Sequence, residues 1–270
     1  MTTKSPQIIL EPAEEQLTNL LREASSTAAF SDREVIVRYA GGWVRDKILR
    51  KKSHDIDIAI SSISGHQFAV EFAAFLASQH PDLKTGTITK ILANPEKSKH
   101  LDTATSRFLN LDLDFVQLRT ESYGSPDSRT PSVVDVGTLE EDAERRDCTM
   151  NALYYNIHTL QVEDPTSHGL DDLANGLIQT PLPPEKTFLD DPLRVLRCIR
   201  FASQFDFTIE PDTFAGMATR EVRDALKCKV VKERVGIEVY KMMKGINPAK
   251  AIRALHSQQL YQIVFQDAQP

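Results

Sequence analysis

The amino-acid sequence predicts an α+β fold followed by helices. Segments with the two-residue alternation of strands and segments with helical spacing are interspersed up to about residue 180. Beyond that point every periodic segment has helical spacing. We therefore expect an N-terminal extension over residues 1–33, an α+β domain with a mixed sheet over 34–180 and an all-helical region over 181–270.

The composition predicts a globular protein in a reducing environment. The 270 residues are 41% hydrophobic and carry a net charge of −6. No run of about 18 apolar residues is present, so we expect no membrane span, and the N-terminus lacks the basic-then-apolar pattern of a secretory signal. The three cysteines share no metal-ligand spacing, which argues against a zinc site and a disulfide framework. We expect an intracellular protein of the cytoplasm, with the nucleus and the mitochondrion as alternatives.

One segment departs from the overall acidity. Between Lys227 and His256 there are eight lysine and arginine residues and only two glutamates. A polyanionic partner at this end of the chain is one interpretation, and a solvated helix face is the other.

The secondary structure of the α+β region is predicted from the spacing of apolar residues and the positions of turn-forming residues. β-Branched residues that end at a glycine pair predict a strand and a tight turn, and strict alternation predicts a half-buried strand. The predicted elements are strands over 34–40, 54–60, 84–91 and 111–119, helices over 43–50, 65–80 and 139–153, and a hairpin over 153–165. Between them, a polar loop is predicted over 94–106 and a Ser/Pro/Gly-rich connection over 122–137.

The C-terminal region begins after a proline-rich linker over 180–188. Four segments beyond it have apolar residues at helical spacing, with a proline near the start of three of them. The predicted helices cover 190–204, 211–226, 231–244 and 248–261.

A pair of aspartates on the second strand is the first candidate site. Asp55 and Asp57 are two residues apart, so both carboxylates leave the same face of the strand. Two adjacent carboxylates repel each other, and Mg²⁺ ions would relieve that repulsion. Asp114, on a second alternating strand, could supply a third carboxylate. The alternative is two solvent-facing acids on an edge strand, with Asp112 a surface acid.

The glycine pair upstream adds a second candidate feature. Gly41 and Gly42 follow a strand, and glycines without Cβ atoms let backbone amides approach a phosphate. Arg45 follows at the start of a predicted helix. The alternative is a plain hairpin turn.

Two further groups of polar residues lie on predicted helices. Over 139–153, Asp147 and Asn151 are four residues apart and would share one helical face, next to Arg146. A salt-bridged surface helix is the alternative. Farther on, Arg194 and Arg197 recur at helical spacing beside an apolar stripe, and Asp191 precedes them. The alternative for Asp191 is an N-cap before a helix that starts at Pro192.

Five motifs occur in the order and spacing of a known family. The segments are GGWVRDKILRKKSHDIDIAI (41–60), EEDAERRDCTMNALYYNI (140–157), VEDPTSHGLDDLANGLIQTPLPP (162–184), TFLDDPLRVLRCIRFASQFDFTI (187–209) and ERVGIEVYKMM (233–243). The chain resembles the class II tRNA nucleotidyltransferases, the CCA-adding enzymes of the DNA polymerase β-like superfamily, over residues 34–245. It resembles the fungal branch most.

The resemblance implies a polymerase-β-like nucleotidyltransferase head over 34–180 and a helical, RNA-binding neck with the start of the body over 181–270. It also implies addition of CMP and AMP from CTP and ATP to the 3′ end of tRNA, with release of pyrophosphate. A two-metal Mg²⁺ site would be held by Asp55 and Asp57. Alternatives on the same scaffold are a CC-adding or A-adding enzyme, a poly(A) polymerase, or a non-catalytic relative that binds tRNA or nucleotides.

The same resemblance implies roles for the other candidate residues. Gly41, Gly42, Arg45 and Arg146 would position the triphosphate, and Asp147 would accept the ribose hydroxyl. Asp191 and Arg194 would select cytosine or adenine by their hydrogen-bonding pattern, leaving Asp190 to cap the helix, and Arg197 would lie deeper, near the phosphates or the base.

Three expectations concern the remaining motifs. The segment 162–176 is either a hinge for the head or a polar loop. Arg234 and Glu238 are four residues apart, so we expect an intrahelical pair that braces the helix carrying Arg194. Family members usually continue with further helical domains that grip tRNA, so we expect these 270 residues to bind nucleotide but to have weakened affinity for tRNA.

Overall fold

The structure, a computed structural model, describes residues 6–27, 29–30, 33–83, 86, 88–91, 103–122 and 133–265. The chain divides into two compact units. The first contains residues 1–120, 134–142 and 151–165, and the second contains residues 121–133, 143–150 and 166–270. The boundaries at 33 and 180 stay a prediction. None of the helices in the described part of the chain has the length and apolarity to cross a lipid bilayer.

A seven-stranded mixed sheet forms the centre of the first unit. The strands are β1 Val37–Ala40, β2 Asp55–Ile60, β3 Thr89–Ile91, β4 Thr103–Phe108, β5 Leu111–Gln117, β8 Tyr154–Asn156 and β9 Gln161–Glu163. Their order in the sheet is β3-β4-β5-β2-β1-β8-β9, and β2 pairs parallel with β5 and antiparallel with β1. A separate two-stranded sheet contains β6 Arg119–Ser122 and β7 Val133–Val136. The predicted α+β class with a mixed sheet is confirmed.

The apolar residues of this sheet and its helices form the core. Ile56 and Ile58 of β2 are buried, whereas the aspartates that alternate with them are exposed. The helices are α1 Pro12–Ser25, α2 Gly42–Ile48, α3 Gly65–Gln79 and α4 Leu139–Glu144. Ser64 caps α3 by accepting a hydrogen bond from the amide of Gln67. Helix α1 lies within the N-terminal extension, where the spacing analysis assigned no element.

Most described residues of the second unit are helical, and two short strands in it pair parallel, β10 Leu177–Ile178 with β11 Thr208–Ile209. The helices are α5 Gly169–Asn175, α6 Pro184–Asp190, α7 Leu193–Phe205, α8 Pro211–Gly216, α9 Arg220–Lys229, α10 Lys232–Met243, α11 Pro248–Ser257 and α12 Tyr261–Phe265. Helix α7 is largely buried, and its stripe of Leu193, Leu196 and Ile199 is inside.

The predicted helix over 139–153 is wrong in its second half. Helix α4 ends at Glu144, and residues Thr149–Asn151 form a 3-10 turn instead. The amide of Thr149 donates to the carbonyl of Gln179, a long-range contact that replaces the helical hydrogen bond. Asp147 and Asn151 therefore do not share a helical face.

Several predicted boundaries also change. The polar loop over 94–106 contains the start of β4, whose threonines favour a strand. Strand β7 lies within the connection over 122–137. The helix over 211–226 is two helices, because Thr219 caps a new one, and that over 248–261 ends at Ser257. Strand β11 interrupts the all-helical region. Residues 92–102 and 123–132 lie outside the described residues.

Gly65→Ala is expected to destabilise the protein. A Cβ atom at Gly65 would lie 2.1 Å from the carbonyl oxygen of Phe115 on β5, so α3 would have to move off the sheet. We expect the free energy of unfolding to fall by about 3 kcal/mol, measured by urea denaturation.

Gly236→Ala is the matched control, because nothing lies within 4 Å of a Cβ atom at that position of α10. The higher helix propensity of alanine is expected to raise the free energy of unfolding by about 0.5–1 kcal/mol. Equal stability of the two variants would contradict the close approach of α3 to β5.

Candidate functional site

The first group of site residues lies on one face of the large sheet. Asp57 on β2 is opposite Ala40 of β1 on one side and Asp114 of β5 on the other. Asp55 is opposite Asp112 in the same parallel register. Residues paired in this way point to the same face, and all four carboxylates are exposed. The backbone register therefore brings together Asp55, Asp57 and Asp114.

The glycine turn begins one residue after Ala40. Gly41 has φ 68° and ψ −124°, a conformation that glycine adopts without the steric cost of a Cβ atom. Its amide donates to the carbonyl oxygen of Leu153 at 2.9 Å. Helix α2 then starts at Gly42. Because Ala40 is paired with Asp57, the turn lies beside the carboxylates.

Arg45 on α2 is buried and held on both sides. Its Nη1 donates to Oδ1 of Asn151 at 2.6 Å, and its Nε donates to Oδ1 of Asp46 at 2.9 Å. Asn151 is also buried. The structure thus places two predicted site residues, Arg45 and Asn151, in contact. They are distant in the sequence, so no local spacing predicts this contact.

The carboxylates of Asp55 and Asp57 fit a Mg²⁺ ion that a bound substrate also helps to hold. Among the described residues, no group of three or more His, Cys, Asp or Glu side chains could hold a metal ion. Mg²⁺ is usually held by one or two carboxylates together with substrate phosphates and waters. Asp55 and Asp57, exposed on one face, supply such a partial set of oxygen ligands.

The second group of site residues lies in the second unit. Asp147 is buried, and its Oδ2 accepts a hydrogen bond from Nε of Arg197 at 2.6 Å. Its Oδ1 accepts from the amide of Cys148 at 2.9 Å. The Asp147 carboxylate raises the pKa of Arg197 further above its usual range, so Arg197 stays protonated. The side chain of Arg146 is half-buried.

Arg194 is buried, and its guanidinium is fixed by two backbone carbonyls. Nη1 donates to the oxygen of Thr187 at 3.1 Å, and Nη2 donates to the oxygen of Arg145 at 2.6 Å. The neighbouring Asp191 uses Oδ1 to accept from the amide of Leu193 at 3.2 Å. The capping role suggested as an alternative for Asp191 is therefore present in part.

The expected N-cap at Asp190 is wrong. Asp190 is the last residue of α6 and pairs with Lys186 at 3.1 Å, whereas the N-cap residue of α7 is Pro192. Asp191 is near Nη2 of Arg234 at 3.6 Å. The carboxylate of Asp191 is thus shared between a helix start and an arginine of α10.

The predicted intrahelical pair on α10 is also wrong. Glu238 accepts from Nε of Arg200 at 2.5 Å and is near Nη1 of Arg197 at 3.9 Å, while Arg234 reaches Asp191 instead. Both α10 side chains therefore meet partners outside their own helix, and the brace for α7 is made of bonds between helices. The sequence did not predict Arg200 as the partner of Glu238. The three-residue spacing of Arg194, Arg197 and Arg200 nevertheless indicated that they share one helix.

The chain matches two known families and several known proteins. The family described as "Poly A polymerase head domain" matches residues 37–179, and "Probable RNA and SrmB- binding site of polymerase A" matches residues 206–270. The tRNA nucleotidyltransferase cca1 of Schizosaccharomyces pombe is 46% identical over 98% of this chain and 53% of its own length.

Two solved structures have the same fold. A Thermotoga maritima CCA-adding enzyme complexed with tRNA has a TM-score of 0.70 and 26% identity, over 97% of this chain and 54% of that one. A CCA-adding enzyme in complex with CTP has a TM-score of 0.72 and 25% identity, over 97% and 54%. The resemblance inferred from the five motifs is confirmed, as is the fold it implied.

The matches cover nearly all of this chain but only part of each relative. This chain spans about half the length of the relatives it matches. The segment that matches the head-domain family includes the strands that carry Asp55, Asp57 and Asp114, and it includes the turn at Gly41. Because its match at residues 37–179 covers more than half of the sequence, the chain belongs to the family of the poly A polymerase head domain.

Proposed function

We propose that this chain carries the nucleotide-binding and catalytic part of a CCA-adding tRNA nucleotidyltransferase. In this reaction the terminal 3′-hydroxyl of tRNA attacks the α-phosphorus of CTP or ATP, a phosphodiester bond forms and pyrophosphate leaves. The observation that carries the proposal is the register that places Asp57 between Ala40 and Asp114, beside the Gly41 turn. The names of the related proteins support tRNA as acceptor and CTP as a donor.

The sheet residues would handle the phosphates. Asp55 and Asp57 would hold Mg²⁺, which when bound neutralises charge on the phosphate oxygens and orients them. Asp114 adds a third carboxylate on the same face. The Gly41–Gly42 turn would approach the triphosphate, with the Gly42 amide as the donor, because the Gly41 amide already donates to Leu153. Arg45 would add a positively charged guanidinium that its hydrogen bond to Asn151 orients.

A second set of residues would contact the triphosphate and the sugar. Arg146 would meet the triphosphate, for which a planar guanidinium is suited. Asp147 would accept a hydrogen bond from the ribose hydroxyl, and its bond to Arg197 orients the carboxylate for that purpose. A nucleotide without that hydroxyl would lose this hydrogen bond, which disfavours deoxyribonucleotides.

The base would be selected by Asp191 and Arg194. Cytosine and adenine each present an amino donor beside a ring-nitrogen acceptor, which matches one carboxylate and one guanidinium. Two backbone carbonyls hold the Arg194 guanidinium in one orientation, so its remaining N–H groups have a fixed direction. Uracil and guanine present the opposite pattern and would leave these polar groups unpaired.

The partner and the compartment are part of the same proposal. The basic stretch between Lys227 and His256 lies within the segment that matches an RNA-binding family, which supports tRNA as the polyanionic partner. Cys148, Cys198 and Cys228 are free thiols, as expected of an intracellular protein.

The direct test is incorporation of single labelled nucleotides. The chain is incubated with Mg²⁺ and tRNA that lacks its terminal CCA, CC or A, with each NTP supplied separately. We expect incorporation of CMP and AMP but not of UMP or GMP, limited to the missing residues. Addition at one stage only would indicate a CC-adding or A-adding enzyme. Long AMP tracts would indicate a poly(A) polymerase.

Asp57→Asn is expected to abolish nucleotide transfer, because an amide removes the negative charge that holds the cation. We expect incorporation of CMP to fall by at least about a hundredfold, measured in single turnover. Asp112→Asn is the matched control on the same sheet face, and we expect it to stay within about threefold of the unchanged protein. Equal activity of the Asp57 variant and the unchanged chain would contradict the assigned site.

Asp191→Asn is expected to weaken base selection. The amide retains an oxygen for the Leu193 amide but presents N–H donors where cytosine presents its amino group. We expect the ratio of kcat/KM for CTP to that for UTP to fall by about tenfold. Asp190→Asn is the adjacent control, because that carboxylate pairs with Lys186 on the surface. An unchanged ratio in the Asp191 variant would remove this residue from base recognition.

A further inference from the structure

Helix α1 carries a buried glutamate that none of the roles above uses. Glu14 is 2% exposed. Its Oε1 accepts a hydrogen bond from Nε1 of Trp43 at 3.1 Å, and its Oε2 is 2.5 Å from Nζ of Lys47. The amide of Glu11 donates to the same Oε2 at 2.7 Å. One carboxylate therefore joins α1 to two side chains of α2.

Stability alone does not account for this arrangement. A buried ion pair is costly to desolvate, and well-packed apolar side chains are usually as stabilising or more so. Trp43 is itself buried, and the side chain of Lys47 is 7% exposed. Such a network instead fixes one orientation, because hydrogen bonds to a carboxylate are directional.

Helix α2 depends on contacts of this kind. It has seven residues, too few to be stable as an isolated helix. Trp43 and Lys47 are four residues apart and lie on one side, where Glu14 holds them. Arg45 projects roughly opposite, at about 100° per residue, and meets Asn151. The helix is thus held from both sides.

Helix α1 also contacts the strand that precedes the glycine turn. The hydroxyl groups of Thr18 and Tyr39 are 2.9 Å apart, and both residues are buried. Burial raises the pKa of Tyr39, and the Glu14 charge adds to the effect, so this phenol stays neutral. Tyr39 lies two residues before Gly41, and Trp43 lies two residues after it. Helix α1 therefore holds both flanks of the turn.

We propose that Glu14 is a positioning residue for the nucleotide. Through Trp43 and Lys47 it sets the orientation of α2, and so it places the Gly41–Gly42 turn and Arg45 for the triphosphate. This inference rests on the proposed function, because it assumes that a nucleoside triphosphate binds at the turn. It assigns a functional role to a helix that precedes the matched head-domain segment, which starts at residue 37.

The test is nucleotide affinity of the 270-residue chain, without tRNA. Trp43 is the one tryptophan of the sequence, so its fluorescence reports on this network directly. The dissociation constant for CTP is measured by equilibrium dialysis with labelled nucleotide, and Trp43 emission is recorded in the same samples. Glu15→Gln is the matched control, because Glu15 is the adjacent, exposed acid of α1.

We expect Glu14→Gln to shift the emission of Trp43 and to weaken CTP binding by about tenfold at a temperature where the variant is folded. The Glu15 variant is expected to match the unchanged chain within about twofold. If the Glu14 variant is less stable but its folded form binds CTP as tightly as the unchanged chain, the carboxylate has only a structural role and the inference is overturned.

A double variant covers the case in which Glu14→Gln does not fold. Glu14→Leu with Lys47→Met replaces the buried pair by apolar side chains, which removes the unpaired charge. We expect this variant to fold and still to bind CTP about fivefold more weakly, because Trp43 has lost its acceptor. Tight binding by it would overturn the inference. Failure of the unchanged chain to bind CTP or ATP would instead overturn the proposed function.

Discussion

The position of β2 between β1 and β5 is the constraint on which the candidate site depends. Its buried isoleucines fix the register, since a slip of one residue would turn Asp55 and Asp57 into the core. The same register sets Asp57 next to Asp114 and next to the last residue before the glycine turn. Apolar packing on one face of the sheet thus sets the spacing of the carboxylates on the other face. In the proposed function, Mg²⁺ would relieve the repulsion between these neighbouring charges.

The second unit positions its polar residues by another means. Arg194, Arg197 and Arg200 recur along α7, and each is held by a different kind of acceptor: backbone carbonyls, an aspartate and a glutamate. These acceptors lie outside α7, and Arg200 also donates to Gln204 within the helix at 2.9 Å. The helix is therefore fixed about its own axis by directional bonds as well as by its apolar stripe. In the proposed function, residues that would contact the nucleotide need such a fixed orientation.

Sequence reasoning succeeded where a signal was local. Strict alternation located β2 and β5, and the apolar stripe located α7, because burial on one face imposes a period on the sequence. It failed where distant residues decide the structure. The charge spacing over 139–153 looked helical, but Thr149 bonds to Gln179 instead. The pairing of Arg45 with Asn151 has no local signature either. Helix α1 was not assigned, although Pro12 and the Glu11–Glu14 capping box mark its start.

The hydrogen bond to the carbonyl of Arg145 bears on how accurately a nucleotide would be selected. It accepts a hydrogen bond from Arg194, while Asp147, two residues later, binds Arg197 one turn along the same helix. The segment 145–147 and α7 are thus fastened together at two successive points. In the proposed function one point serves the base and the other the sugar. A change in this segment would weaken both contacts at once. Incorporation of the wrong base and incorporation of deoxyribonucleotides would therefore increase together rather than independently.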